Sequence, residues 1–205
     1  RVKNIMLDKS INTIIHPIMN GLANYIPSQI SANRITLTGF LVGAMVVPLL
    51  WLKLYSAAML VILVNRFFDG LDGAVARKCG PTNLGCYLDI TCDFIFYAVV
   101  VMGFALTDPE KNGLAAAFLI FSFTGTGSSF LAFAVAAEKQ GITSKAYGPK
   151  SIYYLGGLTG GTETILFFVV VCIYPSIFPL MAVFFGSICW ITVLGRFSSA
   201  FTLLR

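Results

Sequence analysis

The chain has 205 residues, 57% of them hydrophobic and only 11% charged, with 14 Lys and Arg against 9 Asp and Glu for a net charge of +5. Soluble domains carry roughly 25% charged residues, so this composition excludes an ordinary water-facing globule. Apolar stretches of membrane-spanning length recur along the whole chain, leave no room for a separate soluble domain, and predict an all-α integral membrane protein.

In chain order, residues 1–30 come first, "RVKNIMLDKSINTIIHPIMNGLANYIPSQI". They mix polar and apolar positions and lack the compact apolar core of a cleavable secretory leader. Ile5, Met6, Ile14, Ile15, Ile18, Met19, Leu22 and Ala23 alternate with polar neighbours, which predicts an amphipathic juxtamembrane helix along the cytoplasmic leaflet. His16, the only histidine, belongs to that helix and reads as interfacial rather than catalytic. Residues 31–205 then read as one domain of six spans, at about 31–52, 55–77, 83–106, 113–137, 150–174 and 179–203. Proline breaks two of the connections, "TDPEKN" and "PSIFP", and the longest polar one is "EKQGITSKAYGPK", residues 138–150. Small residues at Gly39 and Gly43, in "GTGSS" and in "GGLTGG" suit close helix packing, with substrate contact as the other reading. Cys79, Cys86, Cys92, Cys172 and Cys189 are scattered without a CxxC pair, so neither a zinc site nor a disulfide framework is expected.

Basic residues set the expected orientation. If six helices alternate, Arg1, Lys3, Lys9, Arg34, Arg77, Lys78, Lys139, Lys145, Lys150, Arg196 and Arg205 fall on one side, and only Lys53 and Lys111 on the other. The positive-inside rule then puts both termini in the cytoplasm of an inner (cytoplasmic) membrane. Arg66 alone lies deep within a span.

The second and third spans hold the anomaly. Asp69, Asp72, Asp89 and Asp93, four of the nine acidic residues, fall within 25 positions flanked by apolar helix. Asp69 and Asp72 are three apart, and Asp89 and Asp93 four apart, so each pair shares a helix face. The turn between the spans lies near Arg77–Gly85; at ~1.5 Å per residue, Asp69 and Asp93 stand roughly 12 Å in from it, with Asp72 and Asp89 shallower. All four carboxylates can therefore meet in one pocket open to the cytoplasm. Each costs about 2.5–3.5 kcal/mol inside a membrane, and Arg66 and Arg77 can neutralise only two. A pair of Mg²⁺ or Mn²⁺ ions, which prefer hard oxygen ligands, answers the remaining charge. Gly73, Ala76 and Gly85 leave room beside those ions for something flat against the backbone, and Arg77 stands at the mouth to grip a phosphate. Together these point to a nucleotide diphosphate.

The stretch reads D-x2-D-G-x2-A-R-x7-G-x3-D-x3-D, with Asp69, Asp72, Gly73, Ala76, Arg77, Gly85, Asp89 and Asp93 at its fixed positions. It resembles the signature of the CDP-alcohol phosphotransferases at all eight. That family also has six helices and a cytoplasmic amphipathic N-terminal helix, and "SANRIT" (31–36) resembles its "TPNxxT" entry to the first span, with Ala32 in place of proline. The resemblance implies that the four aspartates hold two divalent ions and that Asp93 is also the general base. It implies that Gly73, Arg77 and Thr82 line the cytidine-diphosphate site beside Ala76 and Gly85. It implies further that Asn33, Arg34, Ile35 and Thr36 close that site, their other reading being a helix start capped by Ser31 or Asn33.

The implied reaction is transfer of a substituted phosphate from CDP-diacylglycerol, or another CDP-alcohol, to a small acceptor alcohol with loss of CMP. Partners are then membrane lipids and no nucleic acid, with a homodimer as one possible assembly. The acceptor is expected near spans four to six, beside Glu163, Arg196 and Lys139. An acid at Glu163 would repel a phosphorylated acceptor and favour an uncharged or amine-bearing one; its plainer reading is a partner for Arg196 or a helix cap. Lys145 and Lys150 read as anchors at the membrane surface. Two rival classes bind cations similarly. Membrane prenyltransferases generally carry two separated aspartate-rich segments in a larger bundle, and cation transporters show internal repeats; here both acidic pairs share one hairpin and no second copy exists.

Overall fold

A computed structural model of the chain describes residues 7–27, 29–140 and 159–204, and among these it is helical, with no strand. The first helix, α1 (Leu7–Tyr25), carries Pro17 inside it and leaves Ile18 and Tyr25 exposed. The extended backbone at Ser31 opens α2 (Ala32–Ala44), without a side-chain cap from Ser31. A short α3 (Val46–Trp51) follows. The first expected span is thus two helices. Pro48 cannot donate to the carbonyl of Ala44, and its ring crowds that carbonyl, so the ladder breaks at Met45.

Lys53 turns the chain with a φ of 58°, and α4 (Tyr55–Cys79) returns. Gly80, at φ 97°, ends α4 in a backbone conformation that a side chain would strain, and Pro81 follows. Thr82 starts α5 (Asn83–Thr107) by accepting the Gly85 N–H at 3.0 Å. Asp108 caps α6 (Pro109–Lys139) through the Lys111 N–H at 3.2 Å, with Pro109 in the first turn where a missing N–H costs nothing. The described chain resumes at Thr159, and α7 (Gly161–Ile173) follows; residues 150–158 of the fifth expected span, and Lys145 and Lys150, lie outside the described residues. A 3₁₀ turn at Pro175–Ile177 leads into α8 (Phe178–Leu203).

By length and composition, four segments among the described residues can cross a membrane: Ala32–Trp51 taken together, Asn83–Thr107, Pro109–Lys139 and Pro175–Leu203. With 25 residues, α4 is long enough, but its charged residues lower its hydropathy, and α7 has only 13. Leu41, Leu60, Leu114, Phe121, Leu180 and Ile191 are all more than half exposed, the pattern of helices facing lipid.

Among the described residues, two cores hold the bundle. The larger one joins α3 to α8 around Leu50, Phe96, Phe104, Phe168 and Phe178, with Phe104 and Phe178 stacked at 4.6 Å. A smaller one ties α1 and α2 to the far end of α4 through Ala23, Ile35, Ala74 and Val75. At Gly39 an added Cβ would stand 2.5 Å from the Cβ of Phe68, so α2 lies almost backbone to backbone on α4. This contact brings the start of α2 over the acidic hairpin. The Gln140 amide donates to the Leu204 carbonyl at 3.2 Å, which sets the ends of α6 and α8 together.

Candidate functional site

The short Gly80–Thr82 turn lays α4 and α5 antiparallel, and the two acidic faces meet between them. One oxygen from each of Asp69, Asp89 and Asp93 lies within 4.8 Å of the others. Asp72 lines the same cavity but is buried, its Oδ2 accepting the Thr36 hydroxyl from α2. The convergence expected from spacing is therefore present, with Asp72 set to one side. Three hard anionic oxygens at this separation fit a divalent ion such as Mg²⁺ or Mn²⁺, and Asp72 can join by letting go of Thr36.

At the deep end stands Arg66. Its Nη2 donates to Asp93 Oδ1 at 2.6 Å and its Nη1 approaches Asp69 Oδ2 at 3.5 Å. Asn65 Oδ1 accepts from Nε and Nη2 of Arg66 at 3.1 and 2.8 Å, while its own amide donates to the Gly39 carbonyl at 2.9 Å. The guanidinium lies over the rings of Phe96 and Tyr97 at 5.3 and 5.5 Å. Arg77, expected at the mouth as a grip for a phosphate, pairs with none of the four carboxylates and donates to Asn20 Oδ1 on α1 at 3.1 Å.

At the mouth, the structure gathers most of the residues expected to line a nucleotide site. A Cβ at Gly73 would lie 3.4 Å from Nη1 of Arg77, so the arginine folds back over that glycine. A Cβ at Gly85 would sit 3.1 Å from both Asn33 Oδ1 and Thr82 Oγ1, so α2 and α5 begin side by side. Ala76 is half-buried and Arg34 exposed. Ile35 turns the other way, into the smaller core, so its side chain is not part of the mouth.

The three residues expected on the acceptor side are not brought together. Glu163 Oε2 accepts the Gly160 N–H at 2.9 Å and caps α7, its plainer reading, instead of pairing with Arg196. Arg196 is buried and turned into the bundle, where Nη1 donates to the Thr126 carbonyl at 2.7 Å. Lys139 is exposed at the end of α6.

Three contributors escaped the sequence reading: Asn65, Tyr97 and Asn20. Tyr97 lies four residues after Asp93, the spacing that puts it on the acidic face, so a signal was present. Asn20 had none, because nothing in an amphipathic pattern says which polar residue meets which helix.

Comparison with known proteins bears on this geometry. Residues 25–197 match the family model for CDP-alcohol phosphatidyltransferase. The chain is 47% identical to the inner membrane protein YnjF of Escherichia coli (strain K12) over 201 residues, 98% of each chain. It is 35% identical over 78 residues to the archaetidylinositol phosphate synthase of Pyrococcus horikoshii, 38% of this chain and 42% of that one. Among solved structures, the Mycobacterium tuberculosis phosphatidylinositol phosphate synthase (PgsA1) with CDP-DAG bound superposes with a TM-score of 0.69 at 20% identity, over 93% of this chain and 94% of that one. The same enzyme with manganese and citrate gives 0.67 at 20% identity, over 92% and 89%.

Proposed function

Because the chain belongs to the CDP-alcohol phosphatidyltransferase family and is thus a metal-binding membrane transferase of phospholipid synthesis, we propose that it moves the phosphatidyl group of CDP-diacylglycerol onto a small acceptor alcohol and releases CMP. The observation that carries this reading is the meeting of Asp69, Asp89 and Asp93 oxygens within 4.8 Å, with Asp72 beside them.

In this reading Asp69, Asp72, Asp89 and Asp93 hold two divalent ions. When bound, these supply neutralisation of the diphosphate and polarisation of the phosphorus. The chain's own residues do the rest. Gly73 and Gly85 keep the backbone bare for the cytidine, Arg77 contacts a phosphate oxygen, and Thr82, Ala76 and Asn33 wall the nucleotide. Arg34 and Thr36 close the entry from α2. Asp93 takes the proton from the acceptor hydroxyl as that oxygen bonds to phosphorus. The acceptor approaches from the α6–α8 side, where Lys139 and Arg196 stand. Glu163 is engaged in capping α7, so its presence does not select against a phosphorylated acceptor.

The membrane arrangement follows the charge bias. We place α2 with α3, α4, α5, α6, α7 and α8 as six spans and α1 along the cytoplasmic surface. The acidic hairpin then opens to the cytoplasm, where the nucleotide stays in water and the acyl chains pass sideways into lipid.

The test is CMP release by purified protein from CDP-diacylglycerol and Mg²⁺ or Mn²⁺. The acceptor panel is glycerol 3-phosphate, inositol phosphate, inositol, serine, ethanolamine and choline. Release that depends on one acceptor and disappears in Asp93→Asn is the expected result. Protein that binds no cytidine nucleotide would overturn the reading.

A further inference from the structure

Both oxygens of the Asp93 carboxylate are held. Oδ1 accepts from Arg66 at 2.6 Å, and Oδ2 accepts the Tyr97 hydroxyl at 3.2 Å. The Tyr97 ring sits in an apolar box of Phe94, Phe96, Phe123 and Phe168, with centroids 6.1–6.4 Å away. Phenylalanine would fill that box equally well. The hydroxyl is therefore the atom that needs explaining, since a buried O–H is unfavourable without partners. It has two: Asp93, to which it donates, and Arg66, whose Nη1 lies 3.4 Å away.

A third surface confines it. A Cβ at Gly161, the first residue of α7, would lie 3.2 Å from the Tyr97 oxygen, tighter than ordinary contact, so a side chain there would push the hydroxyl aside. The position of Gly161 is itself pinned, because Glu163 bonds back to the Gly160 N–H at 2.9 Å and Thr164 to the Gly160 carbonyl at 2.9 Å. The start of α7, fixed by the Glu163 cap, thus leaves room for the Tyr97 hydroxyl beside Asp93 because residue 161 has no side chain.

We propose that Tyr97 is a positioning residue for Asp93: its hydroxyl, seated against Gly161, sets the direction in which the carboxylate faces the acceptor. This rests on the reading of Asp93 as the base that takes the acceptor's proton. Arg66 alone leaves the carboxylate free to turn about its one strong contact; the second bond, at the other oxygen, removes that freedom. A base that has lost orientation still binds its neighbours but reaches the reacting proton less often, so the effect falls on turnover.

The experiment compares Tyr97→Phe, Gly161→Ala and Asp93→Asn with the unaltered protein, using CMP release from CDP-diacylglycerol with the acceptor that supports turnover. Tyr97→Phe should lower kcat by roughly tenfold or more, the scale of one hydrogen bond to a charged group, with both KM values within about twofold. Its melting temperature should stay close to that of the unaltered protein, because the ring remains. Manganese affinity by titration calorimetry should fall by less than kcat does, since Asp93 keeps its charge and Asp69, Asp72 and Asp89 keep their places. Gly161→Ala, which keeps the hydroxyl but displaces it, should lower kcat in the same direction. Tyr97→Phe with unaltered kcat would overturn the proposal, as would a loss confined to KM or to manganese affinity. The two readings separate cleanly. If Asp93→Asn turns over normally, the base assignment itself fails; if it is inactive while Tyr97→Phe is normal, only the positioning role falls.

Discussion

Thr36, one turn into α2, donates its hydroxyl to Oδ2 of Asp72 on α4 and so ties the first span to the acidic hairpin. The same hydroxyl lies 3.1 Å from the Ala32 carbonyl, a second partner that holds its rotamer. Asp72 is buried, and without this bond one carboxylate oxygen would lose its donor. Thr36→Val keeps the shape and removes the bond. It should destabilise the metal-free protein by about 1–3 kcal/mol, the penalty of an unsatisfied buried acceptor, and Thr36→Ser should recover most of it. Thermal melts in detergent with EDTA would check this, and equal melting of the valine and serine variants would count against it.

Removing carboxylates tests the metal reading directly. Asp69→Asn or Asp89→Asn takes one anionic oxygen from the group that meets within 4.8 Å. Each should weaken Mn²⁺ binding by at least roughly tenfold, since a neutral amide oxygen replaces a charged ligand. Excess EDTA should abolish CMP release, and added Mg²⁺ or Mn²⁺ should restore it. Calorimetric titration that finds the same Mn²⁺ affinity in both variants would remove these residues from the ligand set.

Arg66 makes the opposite prediction for stability. It is the cation between Asp69 and Asp93, with 17% of its side chain exposed against 34% and 28% for theirs. Arg66→Met leaves those carboxylates facing each other without it. Part-exposed pairs are screened, so the expected loss in metal-free protein is about 1–3 kcal/mol, below the full figure for a buried pair. Divalent ions should restore part of that loss, because they supply positive charge to the same oxygens. A variant whose melting ignores Mn²⁺ would argue that Arg66 stabilises by packing on Phe96 and Tyr97 instead.

Why some of this was readable from sequence and some was not has a physical basis. The i,i+3 and i,i+4 spacings of Asp69, Asp72, Asp89 and Asp93 dictate shared helix faces whatever surrounds them, and the short turn at Gly80–Thr82 forces the faces together. Pro48 marked the break in the first span just as openly, yet the hydropathy across it is continuous and hides the interruption. Arg196, Glu163 and Ile35 were different. Whether such a residue faces the site or the bundle depends on which helix lies alongside, and Arg196 turns toward the Thr126 carbonyl on α6. No periodicity within α8 carries that information.

Asn20 offers a test of how α1 takes part. Its side-chain oxygen accepts from Arg77 at 3.1 Å, and one residue later in the hairpin Lys78 donates to the Ala23 carbonyl at 3.1 Å. The two bonds hold α1 against the C-terminal end of α4. Asn20→Ala should free the Arg77 guanidinium and raise KM for CDP-diacylglycerol by about three- to tenfold with kcat little changed, the mark of lost ground-state binding. Kinetics at saturating acceptor would show it. An unchanged KM would mean that Arg77 finds the donor without help from α1.

The glycines give a prediction with two signs. An added Cβ at Gly43 would stand 2.8 Å from Nδ2 of Asn65 and 2.9 Å from the Phe96 ring, both parts of the support behind Arg66. Gly43→Ala must therefore push α2 away from α4 or tilt Asn65 off the Gly39 carbonyl and Arg66. Overpacking of this kind costs about 1–3 kcal/mol, and activity should fall with it because Arg66 loses its anchor. Gly113, in the first turns of α6, has nothing within 4 Å of the same added atom. There the substitution only removes backbone freedom from the unfolded chain, and Gly113→Ala should stabilise by about 0.4–1 kcal/mol. Melting both variants side by side is the check. If Gly43→Ala melted as high as Gly113→Ala, α2 would not lie as close to α4 as the Asn65 and Phe96 contacts require.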